Sequence, residues 1–218
     1  MIWKPDVECA DSSTLRQIQS RRLERIVRYV YDRNPGYKAK IDAAGCKPSD
    51  IKSIDDIRRL PFTTKDDMRD NYPFGLFSVD DRQVAEIHVS SGTTGNPTVV
   101  GYTREDIALW SDVMARSFCC TGAEPGDRIQ VAYGYGLFTG GLGMHYGALE
   151  MGLSIIPMSS GQTPRQLKLM YDFGTRILAC TPSYALHMAE EAREAGIDPR
   201  TSPLEIGVFG AEPWTEEM

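Results

Sequence analysis

Apolar positions along the first third of the chain recur at helical spacing. Between Ser13 and Asp32, the residues Leu15, Ile18, Leu23, Ile26, Val27 and Val30 fall near one face, which predicts an amphipathic helix. Asn34-Pro35-Gly36 ends it, and a second short helix runs to about Gly45. Ser53-Ile54-Asp55-Asp56 offers a capping box for a third, stopped by Pro61. Lys65 then falls in a polar loop, where a solvated lysine is the ordinary meaning.

From Glu86 the pattern changes to short apolar runs alternating with helical stretches, the signature of a parallel sheet with crossover helices. The predicted strands are Ala85 to Val89, Thr98 to Tyr102, Arg128 to Ala132, Leu153 to Pro157, Arg176 to Cys180 and Glu205 to Phe209. Thr103-Arg104-Glu105-Asp106 caps a helix on which Ile107, Trp110, Met114 and Phe118 share a face. Thr163-Pro164 caps another that Gly174 closes, and a third runs from Thr181-Pro182 to Gly196. The fold class is therefore α/β, a parallel sheet with crossover helices preceded by a helical N-terminal segment. The expected division is residues 1–84 for that segment and 85–218 for the α/β region. The chain stops at Thr215-Glu216-Glu217-Met218 just as a helix would begin, so the α/β region is expected to be incomplete. The apolar face this leaves uncovered favours self-association, a homodimer being the simplest form.

Charge and cysteine usage narrow the partners. Thirty acidic and twenty-four basic residues give a net charge of -6 with scattered Lys and Arg, which argues against a nucleic-acid partner. No apolar run reaches membrane-spanning length, and the polar start Met1-Ile2-Trp3-Lys4-Pro5-Asp6 lacks the core of a signal peptide, so a cytoplasmic protein is expected. Cys9, Cys46, Cys119, Cys120 and Cys180 form no metal or disulfide framework, and Cys119-Cys120 reads as a helix end. His88, His145 and His187 are too separated for a metal site and default to packing or orientation. No metal-binding residue is assigned.

The stretch Ser90-Ser91-Gly92-Thr93-Thr94-Gly95-Asn96-Pro97-Thr98 crowds hydroxyl and amide donors into a loop with little side-chain bulk. Its glycines permit positive torsions and close approach, and each hydrogen bond to a charged oxygen is worth roughly 1.5–3 kcal/mol, so the loop is suited to phosphate oxygens. It is not a Walker A loop, since the lysine and the following helix are absent. By composition alone such a stretch is more often an ordinary hairpin connection.

The order of residues in this loop resembles the phosphate-binding motif of the adenylate-forming superfamily. Further stretches, Asn34-Pro35-Gly36-Tyr37, Leu60-Pro61-Phe62-Thr63-Thr64-Lys65, Tyr133 through Gly143, Thr181-Pro182-Ser183-Tyr184 and Gly210-Ala211-Glu212-Pro213-Trp214, resemble the phenylacetate-coenzyme A ligase family across nearly the whole chain. Small departures are Leu149 before Glu150 and Ala179-Cys180 at a strand end, neither on an expected contact. The resemblance implies attack of a carboxylate on the α-phosphorus of ATP, then of the coenzyme A thiol on the acyl-adenylate. The implied co-substrates are ATP, Mg²⁺, coenzyme A and an aryl acid such as phenylacetate.

It further implies that Ser90, Ser91, Gly92, Thr93, Thr94, Gly95 and Thr98 hold the ATP phosphates. Tyr133, Tyr135 and Phe138, which sequence alone would leave in core packing around a glycine-rich turn, become an aryl-acid pocket with Gly140 and Gly141. Gly210, Ala211, Glu212 and Pro213 are placed beside the adenine and acyl group through backbone contacts, although Glu212 by itself reads as an acid at a helix start. The family's ribose-holding Asp, hinge and C-terminal catalytic Lys would lie beyond Met218, so no catalytic residue is assigned. The chain alone is expected to form no acyl-adenylate at an appreciable rate. A reading of another class is a non-catalytic nucleotide-binding or interaction remnant of such a ligase.

Overall fold

The computed structural model describes residues 1–90 and 96–216. They form two compact units, Lys4–Arg104 and Met1–Trp3 with Glu105–Met218.

In the first unit, α1 (Pro5–Glu8) leads into α2 (Ser12–Arg33), capped by the Asp11 carboxylate, which accepts the Thr14 amide at 2.7 Å. Val27 of α2 meets Ile41 of α3 (Pro35–Ala43), Cys46 and Ile51 in a small core. Asn34, buried between the two helices, caps α3 by accepting the Tyr37 amide at 2.8 Å and donates at 3.4 Å to the carbonyls of Gly75 and Phe77. The expected capping box at Ser53 and Asp56 forms, but it starts a 3₁₀ segment over Ile54–Arg59. Lys65 opens a short helix, α4 (Lys65–Asp70), and does not sit in a loop; the box formed by Thr64 and Asp67 explains the difference.

Asp67 also meets Lys40 at 2.6 Å. The Lys40 ammonium and the Thr64 amide hold its carboxyl at about 2, below the usual carboxylate range. Because the folded value is depressed, the stability it contributes is present above about 3.8 and lost as pH falls towards about 2. Acid unfolding of wild type should steepen across that window, and Asp67→Asn should flatten it; identical acid limbs would refute the linkage.

Strands β1 (Val84–Val89) and β2 (Val99–Thr103) close this unit as an antiparallel pair, with Ile87 opposite Gly101 and Val89 opposite Val99. This corrects the expectation of a parallel arrangement from residue 86 onward. Short β-branched runs specify strands but carry no mark of direction.

The second unit holds a four-stranded parallel sheet in the order β4-β3-β5-β6, with β3 Arg128–Val131, β4 Ser154–Ile156, β5 Ile177–Cys180 and β6 Ile206–Phe209. Helix α5 (Arg104–Cys120) precedes β3. The crossovers are α6 (Gly140–Met151), α7 (Thr163–Phe173) and α8 (Pro182–Glu194). Ile129, Val131, Ile177 and Ala179 pack with Ala115, Phe118, Ala148 and Met151 of α5 and α6. Leu178 and Cys180 pack the other way, with Leu167, Met170, Met188 and Ala192 of α7 and α8. Burial on both faces is why these strands read as unbroken apolar runs. The first residues of the chain join this unit: the Trp3 indole donates to Asp112 at 3.0 Å, and the Cys119 thiol to the Met1 carbonyl at 3.1 Å.

Two sequence expectations need correction here. The stretch from Gly140 is helix α6 where a glycine-rich turn was expected. Its glycines let it approach α5: a Cβ on Gly143 would lie 2.5 Å from the Trp110 ring, and one on Gly147 2.2 Å from the Met114 Cβ. The residue that caps α7 is Gln162, in the left-handed conformation and without a side-chain cap, while Thr163 opens the helix and turns its hydroxyl to Tyr184 at 3.1 Å.

Candidate active site

The order β4-β3-β5-β6 places a topological switch between β3 and β5. From β3 the chain crosses through α6 to β4 on one side, and from β5 through α8 to β6 on the other. The loops leaving the C-terminal ends of β3 and β5 therefore diverge and open a crevice, the usual ligand position in such sheets. Residues 132–139, 157–162, 181 and 210–216 line this edge, and they include every expected pocket and adenine residue except Gly140 and Gly141, which open α6.

Tyr133 leaves β3 and spans the crevice. Its hydroxyl donates to the Cys180 carbonyl at 2.6 Å and lies against Gly210, while burial raises its pKa. The end of β3 is thereby tied to the end of β5 and packed against the residue that follows β6. Tyr135 turns the opposite way. Its amide meets Ser159 Oγ at 3.4 Å, and its hydroxyl lies 3.2 Å from His145 Nδ1 with the rings edge to face at 5.7 Å. Burial pushes the Tyr135 phenol up to about 12, so it stays protonated. Phe138 is 62% exposed at the loop's outer end.

Gly140 and Gly141 begin α6. A Cβ on Gly140 would lie 3.7 Å from the Tyr133 ring, and one on Gly141 only 2.6 Å from the Gly134 carbonyl oxygen. Gly141 is thus required by the close return of the helix over the preceding loop. The four residues after β6 sit opposite. Gly210 touches Tyr133, Ala211 has φ +72°, and the half-buried Glu212 accepts the Ser183 amide at 2.6 Å. Hydrogen bonds from Ser183 and Thr181 lower the Glu212 pKa and keep it ionised. Glu212 therefore does sit at a helix start, but the helix is α8, reached across 29 residues, and not one following Trp214. Pro213 is exposed.

The candidate phosphate loop falls in the other unit. Ser91, Gly92, Thr93, Thr94 and Gly95 lie outside the described residues. Its flanks are tied together: the Ser90 amide donates to the Thr98 carbonyl at 3.0 Å, and the Thr98 amide to Ser90 Oγ at 3.0 Å. His88, buried on β1, meets Glu86 at 3.2 Å and the Tyr102 ring edge-on.

Sequence reading left out of the site Ser159, which meets the Tyr135 amide, and Ser183, whose amide donates to Glu212. A signal existed for both, since each follows a predicted parallel strand, where ligand loops gather. Cys180 is buried, its thiol pushed up to about 12 by burial, which makes it a neutral core group. Among the described residues no group of three or more His, Cys, Asp or Glu is placed to hold a metal ion. Nor is any of their helices long and apolar enough to cross a membrane.

No family model matches the chain. Individual relatives do. It is 50% identical over 218 residues to a phenylacetate-coenzyme A ligase of Thermus thermophilus, an alignment covering 100% of this chain and 49% of the relative. Along its whole length the chain is similar to the phenylacetate-coenzyme A ligases. The ligase of Aromatoleum evansii is 51% identical over 212 residues, covering 97% of this chain and 48% of that protein. The chain thus spans about half the length of the curated phenylacetate-coenzyme A ligases it matches. Among solved structures, a 2-hydroxyisobutyryl-CoA ligase in complex with 2-HIB-AMP and CoA superposes with a TM-score of 0.93 at 31% identity, over 97% of this chain and 46% of that one. The fold is that of the adenylate-forming CoA ligases.

Proposed function

We propose that the protein to which this chain belongs activates phenylacetate, or a related aryl acid, as an acyl-adenylate and passes the acyl group to coenzyme A. The observation that carries this reading is identity of about half of all positions with phenylacetate-coenzyme A ligases over the full 218 residues. A site at the C-terminal edge of the parallel sheet supports it.

In this reading a carboxylate oxygen attacks the α-phosphorus of ATP and pyrophosphate departs with the electrons of the broken P–O bond. The coenzyme A thiol, losing its proton, then displaces AMP from the acyl carbon. The donors of Ser90, Ser91, Gly92, Thr93, Thr94, Gly95 and Thr98 hold the triphosphate, while Gly210 to Pro213 offer backbone to the adenine and acyl group. Tyr133, Tyr135, Phe138, Gly140 and Gly141 border the aryl group. In this reading Mg²⁺ enters as the partner of the nucleotide phosphates.

The test is formation of phenylacetyl-coenzyme A by the full-length protein from phenylacetate, ATP, Mg²⁺ and coenzyme A. Pyrophosphate release that depends on the acid supports the reading; nucleotide binding without acid-dependent release leaves a non-catalytic module in its place. Within the working enzyme, Phe138→Ala should raise the KM for phenylacetate about tenfold with little change in kcat, as expected when an aromatic contact worth about 1.4 kcal/mol is removed from ground and transition states alike. An unchanged KM would take Phe138 out of the pocket.

A further inference from the structure

The segment after β6 is gripped at two points with a strained residue between them. On one side, the Tyr133 hydroxyl, donating to the Cys180 carbonyl at 2.6 Å, lies against Gly210, where an added Cβ would be 3.6 Å from it. On the other, Glu212 accepts the Ser183 amide at 2.6 Å at the start of α8. Between these grips lies Ala211 at φ +72°, a conformation in which the Cβ of an L-residue crowds its own carbonyl and which persists only when its surroundings impose it. Thr181 supports the second grip: it caps α8 by accepting the Tyr184 amide at 3.3 Å, and its hydroxyl lies 3.3 Å from Ser183 Oγ.

We propose that Tyr133 and Glu212 act as a two-point clamp that holds Ala211 in the left-handed conformation and so fixes the backbone of Gly210 to Pro213 in the orientation that receives the acyl-adenylate. The inference rests on the adenylate-forming reading above. It makes both side chains positioning residues, acting through the backbone between them. The chemistry of each supports this role. The Tyr133 hydroxyl has its hydrogen committed to Cys180 and its oxygen set against Gly210, so it is occupied by the fold. The Glu212 carboxylate is spent on the first turn of α8, where ionised oxygens form strong bonds to backbone amides. The clamp also joins three strand ends, since Tyr133 follows β3, Cys180 ends β5 and Gly210 follows β6.

The clamp can be separated from direct ligand contact by relieving the strain it imposes. Glycine adopts a positive φ without the Cβ penalty. In the full-length protein, affinity for a non-hydrolysable phenylacetyl-sulfamoyl adenosine is measured by calorimetry, with Ala211→Gly as the reference. Glu212→Ala should weaken binding about tenfold, the loss expected when a charged hydrogen bond is removed. Glu212→Gln, which keeps an acceptor oxygen, should fall between it and wild type. Glu212→Ala combined with Ala211→Gly should recover most of the loss; a double variant as weak as Glu212→Ala overturns the proposal and makes Glu212 a direct ligand contact. Amide hydrogen exchange without ligand supplies the independent readout. Glu212→Ala should accelerate exchange at Ser183, and Tyr133→Phe at Gly210, by about tenfold each. Unchanged exchange at both amides overturns the clamp. Failure of wild type to bind the mimic while exchange responds as expected overturns the adenylate reading and leaves the clamp as a feature of the fold.

Discussion

Replacing Gly147 by alanine is expected to destabilise the α/β unit by about 2 kcal/mol, although alanine is the better helix former by about 1 kcal/mol. The two effects oppose, and the geometry decides between them. A Cβ at this position would lie 2.2 Å from the Met114 Cβ, 2.9 Å from the Met114 carbonyl carbon and 3.1 Å from the Ala115 amide nitrogen. None of these atoms is the far end of a flexible side chain. Relief requires α5 and α6 to part, and α5 is held by Ala115, Phe118 and Cys119 in the core shared with β3 and β5. Overpacking of this kind costs more than helix propensity returns. Thermal unfolding should show the melting temperature lowered by roughly 5–10 °C, and Gly147→Val lower still. A melting temperature at or above wild type would mean that the helices separate freely. Gly143 is the contrasting case: its near neighbour is the Trp110 ring, which can rotate away, so Gly143→Ala should be milder.

The same helix shows what the sequence conceals. Periodicity located the six strands of the described residues and the long helix α2, because each buries a face or stripe whose spacing is local. It lost α6 because Gly140, Gly141, Gly143 and Gly147 lower the intrinsic preference for helix, and close packing against α5, a non-local matter, overrides that preference. The direction of β1 against β2 was likewise invisible in their composition. At the site, the crevice follows from chain order, and its tyrosines and glycines stood out for their position after a strand. The grip of Glu212 on Ser183 did not, since nothing in Gly210-Ala211-Glu212-Pro213 records an amide 29 residues earlier. Assigning Glu212 to the dipole of a helix named the right interaction and the wrong helix. What is legible is the local pattern and the kind of chemistry; which donor meets which acceptor across the sheet is set by tertiary packing.

Gly141→Ala, in contrast to Gly147→Ala, is expected to damage the proposed reaction far more than the fold. Its Cβ would fall 2.6 Å from the Gly134 carbonyl oxygen and 3.1 Å from the carbonyl carbon. Here the two parties are unequal. Helix α6 is fixed by Gly147, Ala148 and Met151 in the core, whereas Gly134 is exposed in the loop that follows β3. The loop must yield, by something on the order of 1 Å, to restore an ordinary contact, and it carries Tyr133 on one side of Gly134 and Tyr135 on the other. Displacing Tyr133 loosens its bond to Cys180 and its contact with Gly210, and displacing Tyr135 shifts its contacts with Ser159 and His145. A misplacement of that size in a positioning element costs about 100-fold in rate. In the full-length protein, kcat/KM for phenylacetate should therefore fall about 100-fold while the melting temperature changes by no more than a few degrees. The reverse result, a large loss of stability with activity kept in the folded fraction, would show that the helix moves and the loop does not, and would remove the return of α6 over Gly134 from the determinants of the site.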